Sequence, residues 1–283
     1  MITSELVRQR VKTLPSMPTT VVALGQAVAD DRCNVDRILV ILAKDPALSA
    51  TMLRLANSVA YAGAGRVMDL RNAVMRMGFD AILNLGRTAA IIRSFRGANQ
   101  LDPFRLWQHA VAVGLVAQGI CRLQKRAYQA DAAYLAGLLH DIGKIALDRC
   151  FAEEYAPVVK AIEEGEICIQ AESRLLGITH AEVGAMVAVN WGFPEEMVEA
   201  IREHHTERPT EFLASLVQLA DLLVRTRIPN GPADETLAFV LEEHPAFQVV
   251  FGTDADLDTE RLTFSIDDEL EHAIVFVKLA FQD

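Results

Sequence analysis

Apolar residues recur at spacings of three and four through several segments of this chain, and polar capping residues mark where those segments begin. Asp45 followed by Pro46 signals a cap and first turn, after which Leu48, Met52, Leu55 and Ala56 fall at helical spacing. Asp69 opens a second helix whose apolar positions Ala73, Val74 and Met77 end at Gly78, and Asp80 is expected to cap a third that runs through Leu83, Ala90 and Ile91 to Phe95. Between Gly97 and Pro103 the pattern breaks, which predicts a lobe boundary. Longer helices are expected beyond it, from about Phe104 to Leu123, Ala130 to His140, Thr179 to Asn190 and Glu211 to Arg227. Thr179 and Glu182 have capping-box spacing. Pro194, followed by Glu195 and Glu196, starts another helix through Met197, Ala200 and Ile201 to His204. A last one, about Asp267 to Phe281, presents Leu270, Ile274, Val277 and Phe281. The expectation is an all-α protein.

Composition supports that class. Hydrophobic residues make up 51% of the 283 positions and aromatics only 6%, so packing rests on aliphatic side chains and alanine. The net charge of −11 disfavours a sequence-independent grip on DNA or on a lipid surface. Arg87, Arg93, Arg96, Arg105, Arg122, Lys125 and Arg126 are the densest basic grouping, and solvated helix faces are the ordinary explanation for such residues. Cys33, Cys121, Cys150 and Cys168 are scattered, with no Cys-x-x-Cys pair, and read as reduced, mostly buried small hydrophobes of a cytoplasmic protein. No stretch reaches the ~18 apolar residues of a membrane span.

The chemistry lies in the imidazoles and two carboxylates. Asp221 shares a helical face with Ala214, Val217 and Val224, where a bare carboxylate needs a charged partner, full hydrogen bonding or a metal. His109 sits in an apolar stretch with Val111, Val113, Leu115 and Val116, and alone it would ordinarily be satisfied by a backbone carbonyl. The adjacent pair His140 and Asp141 changes that reading. On a helix the two point about 100° apart, so they can reach one ion only from a helix passing close by, with Ala136 and Gly137 leaving room. His109, His140, Asp141 and Asp221 would then form a mixed nitrogen and oxygen site of the kind that suits Fe, Mn, Zn or Co. His180, expected to lean from a first turn into a cleft, could hold a second ion with His204 and His205, and Lys144 could steady a phosphate. His244 and His272 read as surface or helix-end histidines.

This set resembles the ligands of the HD superfamily of phosphohydrolases, whose pattern is a His, an adjacent His-Asp and a distant Asp. The wording is closer to one branch, the HDOD domain of bacterial signalling proteins. Leu14-Pro15 with Met17-Pro18, Asp45-Pro46-Ala47-Leu48-Ser49 and Leu55-Ala56-Asn57-Ser58 are similar to its N-terminal signature. Gly177, His180-Ala181-Glu182-Val183-Gly184, Trp191, Pro194 and His204-His205 are similar to its C-terminal one. The resemblance implies an HD-like, multi-helical HDOD unit over residues 8–229, with an N-terminal helical lobe at 8–100 and an HD-like metal-binding lobe at 101–229. Residues 230–283 would form a C-terminal helical extension. Many HDOD domains have lost parts of the ligand set and act as regulators, whereas this chain carries the full string Leu139-His140-Asp141-Ile142-Gly143-Lys144 of the HD-GYP phosphodiesterases. It departs from those at Thr206-Glu207-Arg208-Pro209, where no Gly-Tyr-Pro segment follows the histidine pair.

Two functions are therefore expected in competition. One is a cytoplasmic signal-transduction module that keeps a divalent metal site of one or two ions and answers to a regulatory protein partner. The other is a metal-dependent phosphohydrolase acting on a phosphomonoester or cyclic dinucleotide, with Asp141 and Lys144 as catalytic residues and a nucleotide or phosphoester as ligand. A DNA-binding regulator ranks below both on charge, and nothing suggests a membrane partner.

Overall fold

The structure, a computed structural model, describes residues 2–281 apart from 31, 33, 59, 60, 62, 64, 96, 98, 230–239 and 253–258, with backbone alone at 259–265 and 279. All regular structure among the described residues is helical. In chain order the α-helices are α1 (Ser4–Val11), α2 (Thr19–Val28), α3 (Val35–Leu42), α4 (Pro46–Ala56), α5 (Leu70–Met77), α6 (Phe79–Ser94), α7 (Pro103–Leu123) and α8 (Ala130–Leu139). They continue as α9 (Ile142–Cys150), α10 (Ala152–Glu163), α11 (Cys168–Leu176), α12 (His180–Asn190), α13 (Glu195–Glu203), α14 (Phe212–Arg225), α15 (Pro245–Phe251) and α16 (Thr259–Ala280). The all-α expectation holds. The chain divides into two compact units, one of Met1–Leu14 with Gly97–Leu270 and the other of Pro15–Arg96 with Glu271–Asp283.

In the second unit, α6 packs on α2, α4 and α5. Leu24, Ile38, Leu42, Leu48, Met52, Leu55 and Ile82 are fully buried there, which is where the helical apolar stripes had to go. The starts of α4 and α5 follow the sequence signals, with Asp45 accepting from the Leu48 N–H and Asp69 from the Asn72 N–H. Asp80 does not cap α6, because Gly78, at φ 87°, ends α5 and leads directly into the next helix, leaving Asp80 inside its first turn. Asn57 explains the Leu-Ala-Asn-Ser wording. Its side-chain amide donates to the carbonyls of Leu53 and Val67 and accepts from the Val67 N–H, pinning the segment after α4. Arg87 departs from the solvated-face expectation by being fully buried, and Arg93 pairs with Asp45. Arg96 and Cys33 lie outside the described residues.

The first unit is built on α7 and α8, which pack along each other and against α14, with α13 on α8, α12 on α13 and α9 on α12. Its close approaches depend on glycine. A Cβ on Gly137 would lie 2.7 Å from the Cα of Gly114, so the space left by this residue is taken by the backbone of α7 and not by an ion as expected. A Cβ on Gly143 would lie 1.9 Å from the carbonyl oxygen of His180, so α9 and α12 cross almost backbone to backbone. Asp148, fully buried on α9, accepts from the N–H groups of Asn99 (2.6 Å) and Gln100 (2.8 Å) and so fixes the entry to α7. The last helix begins earlier than predicted, and its buried positions include Ile266, Ala273 and Phe276 beside Leu270 and Val277. His244 accepts from the Ala246 N–H as the cap of α15, and His272 stacks on Tyr61 at 5.2 Å.

Candidate metal centre

Five helices or helix ends bring the seven candidate ligands to one place in the first unit. His109 comes from the middle of α7, His140 and Asp141 from the joint between α8 and α9, and His180 from the first residue of α12. His204 and His205 lie just past the end of α13, and Asp221 is on α14. The His-Asp pair is thus not carried on a helix running past the site. His140 closes α8 and Asp141 precedes α9, and this break lets adjacent side chains converge where a continuous helix would splay them. His180 does not lean into a cleft but is fully buried. Its place is set by the Thr179–Glu182 capping box on one side and the Gly143 crossing on the other.

Asp141 is the hub. Its Oδ1 lies 3.2 Å from His180 Nε2 and 3.9 Å from His204 Nε2, while its Oδ2 lies 3.4 Å from His140 Nε2 and 3.9 Å from His109 Nε2. Lys144 Nζ donates to the same Oδ2 at 2.7 Å. Asp221 Oδ1 sits 2.9 Å from His109 Nε2 and 3.9 Å from His140 Nε2, with Arg225 at 3.5 Å on its other oxygen. Two groups result, joined through Asp141: His109 and His140 on the Asp221 side, and His180, His204 and His205 on the other.

The hydrogen bonds at the outer ring nitrogens decide what the inner ones can do. His140 Nδ1 is 2.7 Å from the Gly137 carbonyl and His204 Nδ1 is 2.7 Å from the Ile201 carbonyl. His180 Nδ1 is 2.6 Å from Glu172 Oε2. Carbonyls and carboxylates accept, so in each case Nδ1 carries the hydrogen and the neutral ring turns the lone pair of Nε2 inward. Yet His180 Nε2 is 3.3 Å from His204 Nε2 and 3.0 Å from His205 Nε2. His205 can donate across its contact, but the lone pairs of His180 and His204 facing each other repel unless a proton or a cation lies between them. Both ring nitrogens of His109, and Asp141 Oδ1, are buried without a hydrogen bond. His109 Nε2 lies beside Asp221 Oδ1 rather than aimed at it, as two ligands of one ion do.

Protonation follows the same layout. Burial pushes His109 and His204 below the ordinary imidazole value, and it pushes His205 down to about 3, helped by the neighbouring His180. Burial would also raise Asp141 and Asp221, but for Asp141 the His140 and Lys144 charges outweigh it, and for Asp221 the contacts with His109 and Arg225 do. His140 and His180 go the other way despite burial, pulled up by Asp141 and Glu172 respectively. Ionised carboxylates and neutral imidazoles are the donor states that bind a divalent cation, and His140 and His180, pulled toward protonation beside Asp141 and Glu172, would give up a proton to bind one. The residues fit such an ion.

Glu172 is the group that sequence reasoning missed. It is fully buried on α11, accepts from both the N–H and Nδ1 of His180, and is reached by the Tyr155 hydroxyl at 3.1 Å and Cys168 Sγ at 3.5 Å. Its signal in the sequence is faint, a carboxylate next to the buried Ala171 on an otherwise amphipathic helix. Cys121, Cys150 and Cys168 are free thiols, of which only Cys121 is buried. A cavity of about 340 Å³ opens beside the centre, reached by Asp141, Lys144, His205, Asp221 and Arg225.

A helical protein that gathers one His, an adjacent His-Asp, a distant Asp and three further histidines belongs to the HD-like class. Within it, residues 14–207 match the model of the HDOD domain, and the chain belongs to the HDOD domain family. An HDOD domain protein of unknown function from Geobacter sulfurreducens has a similar structure, with a TM-score of 0.83 and 27% identity over 99% of this chain and 98% of that one. A candidate signal transduction protein from Marinobacter aquaeolei is similar at a TM-score of 0.75 and 26% identity, over 96% of this chain and 60% of that one. An uncharacterised protein of Treponema pallidum is 26% identical over 225 residues, 77% of this chain and 44% of that protein. The chain spans less than half the length of the curated relatives it matches. No helix among the described residues is long and apolar enough to cross a membrane.

Proposed function

We propose that this HDOD protein is a bacterial, cytoplasmic signal-transduction regulator that has kept a divalent metal centre of the HD type. The observation that carries the metal reading is the inward convergence of the Nε2 atoms of His180, His204 and His205 on Asp141, with the outer nitrogens of His180 and His204 tied away. His109, His140, Asp141 and Asp221 would hold one ion, and His180 with His204 or His205 and the shared Asp141 a second. The regulatory reading is supported by the name of the Marinobacter relative and by the second unit, which supplies none of these ligands. A protein partner that binds that unit is the natural listener.

A second reading, hydrolysis of a phosphoester, is favoured by the cavity beside the centre. A bound divalent ion supplies Lewis-acid polarisation and a water activated at neutral pH. The chain's own residues would orient the ester: Lys144 and Arg225 place positive charge at the cavity end where a phosphoryl oxygen would gather negative charge. Both cations are already paired with carboxylates of the centre, so they are held in position before any ligand arrives. The −11 charge argues against duplex DNA as the partner.

The test is metal analysis of the purified chain beside Asp141→Ala, followed by turnover of a generic phosphodiester and of cyclic di-GMP with added Mn. Bound metal that is lost in Asp141→Ala supports the centre, and equal, near-zero content in both proteins removes it. Turnover abolished by His140→Ala would select the enzyme over the regulator.

A further inference from the structure

We infer that the cavity beside the metal centre is shaped for a phosphate ester with an aliphatic body and not for a nucleotide. This rests on the reading above that the centre holds a metal and faces a phosphate. The cavity lining falls into two chemically distinct sets. At the metal centre, Lys144 is paired with Asp141 and Arg225 with Asp221, and His205 lines the cavity with them. The other set is Leu101, Leu106, Val159, Ile162, Ile167 and Ile169, branched aliphatic side chains that are half-buried or, at Ile167, 45% exposed. Such surface gains by covering alkyl groups and offers no donors or acceptors to a base edge.

Aromatic surface is missing where a base would need it. Two rings line the cavity: His205 belongs to the metal centre, and Tyr155 is fully buried with its hydroxyl committed to Glu172, so it cannot swing out as a stacking platform. Arg105, exposed to solvent, also lines the cavity and adds a third cation. Of the carboxylates there, Asp102 caps α7, Glu166 pairs with Arg174, and Glu163 is exposed to water. Three cations, Arg105, Lys144 and Arg225, therefore share the lining with the aliphatic side chains. A volume of about 340 Å³ is within the range of small-ligand sites, roughly 300–1,000 Å³.

The experiment uses the full chain, metal-loaded and with its metal content measured, and titrates it calorimetrically with inorganic phosphate, butyl phosphate, octyl phosphate and AMP. Each CH₂ buried on the aliphatic walls should tighten binding by roughly fourfold, so affinity should climb steeply from butyl to octyl phosphate, and AMP should bind no better than butyl phosphate. Ile162→Gln should collapse the ratio of octyl phosphate to inorganic phosphate affinity, with circular dichroism and metal content checking that the protein is folded and loaded. Metal and phosphate binding with no dependence on chain length, or with AMP the tightest ligand, overturns the inference and leaves the metal reading intact. Absence of both metal and phosphate binding overturns the two together. Octyl phosphate presented in vesicles and as monomer distinguishes a lipid-surface source from a soluble one, since a channel for single molecules should respond to monomer alone.

Discussion

Gly143→Ala tests whether the crossing of α9 and α12 sets the geometry of the metal centre. The added Cβ would stand 1.9 Å from the carbonyl oxygen of His180, 2.7 Å from its carbonyl carbon and 2.7 Å from the Gly184 nitrogen. All three are backbone atoms, so no side chain can rotate away. The closest comfortable carbon–oxygen approach is about 3.3 Å, which requires the helices to part by ~1.4 Å. His180 rides on one helix and Asp141 leads into the other, now 3.2 Å apart at Nε2 and Oδ1. Metal–ligand distances tolerate only about 0.2 Å, so a shift of that order is roughly seven times too large. Overpacking of this kind costs ~1–3 kcal/mol, and the upper end applies where backbone must move. For a unit of this size that corresponds to a fall in Tm of roughly 6–12 °C. Differential scanning calorimetry and metal analysis of the same preparation read both effects. Gly25→Ala in α2 is the control, since nothing lies within 4 Å of its Cβ and it should gain ~0.5–1 kcal/mol. A Gly143→Ala protein with the melting temperature and metal content of wild type would refute the reasoning, because it would show that the two helices separate without cost and that the site does not depend on their contact.

Glu172→Gln keeps the size of the side chain but removes the charge that orients His180, and the expected outcome is a 10–100-fold loss in metal affinity, measured by competition with a chromophoric chelator. Asp45→Ala removes the α4 cap and the partner of Arg93, and should cost about 1 kcal/mol in urea denaturation. Burial would raise the Asp45 carboxyl, but the Leu48 N–H and Arg93 hold it below its ordinary 3.8. A folded-state value below the unfolded one gives stability that is complete above pH 3.8 and is lost as pH falls through the folded value, so the gap between wild type and Asp45→Ala should close in that acidic window.

Much of the helical layout was legible because its causes are local. Asp45 with Pro46, Asp69 with Gly78, and Thr179 with Glu182 announce helix ends through hydrogen bonds made within four residues. Asp80 misled because a capping residue type is not a cap unless the backbone turns there, and Gly78 had already made the turn. Asp221 was legible as a carboxylate in need of company, since its apolar stripe is a matter of period alone. The role of Glu172 was not. Its partners Tyr155, Cys168 and His180 reach it from other places in the fold, and no spacing along one helix encodes them.

The sequence by itself determined those helices whose ends carry local signals, the apolar faces they must cover and the donor types available for a metal, because each depends on residues close together along the chain; α1 to α3, α9 to α11 and α15 were not legible in this way. Tertiary structure alone decided that Asp141 joins two groups of ligands, that Gly143 admits His180 to them, and that the cavity beside them has an aliphatic wall. Those outcomes depend on how far apart separate backbones come to rest, and that is set by packing across the whole unit.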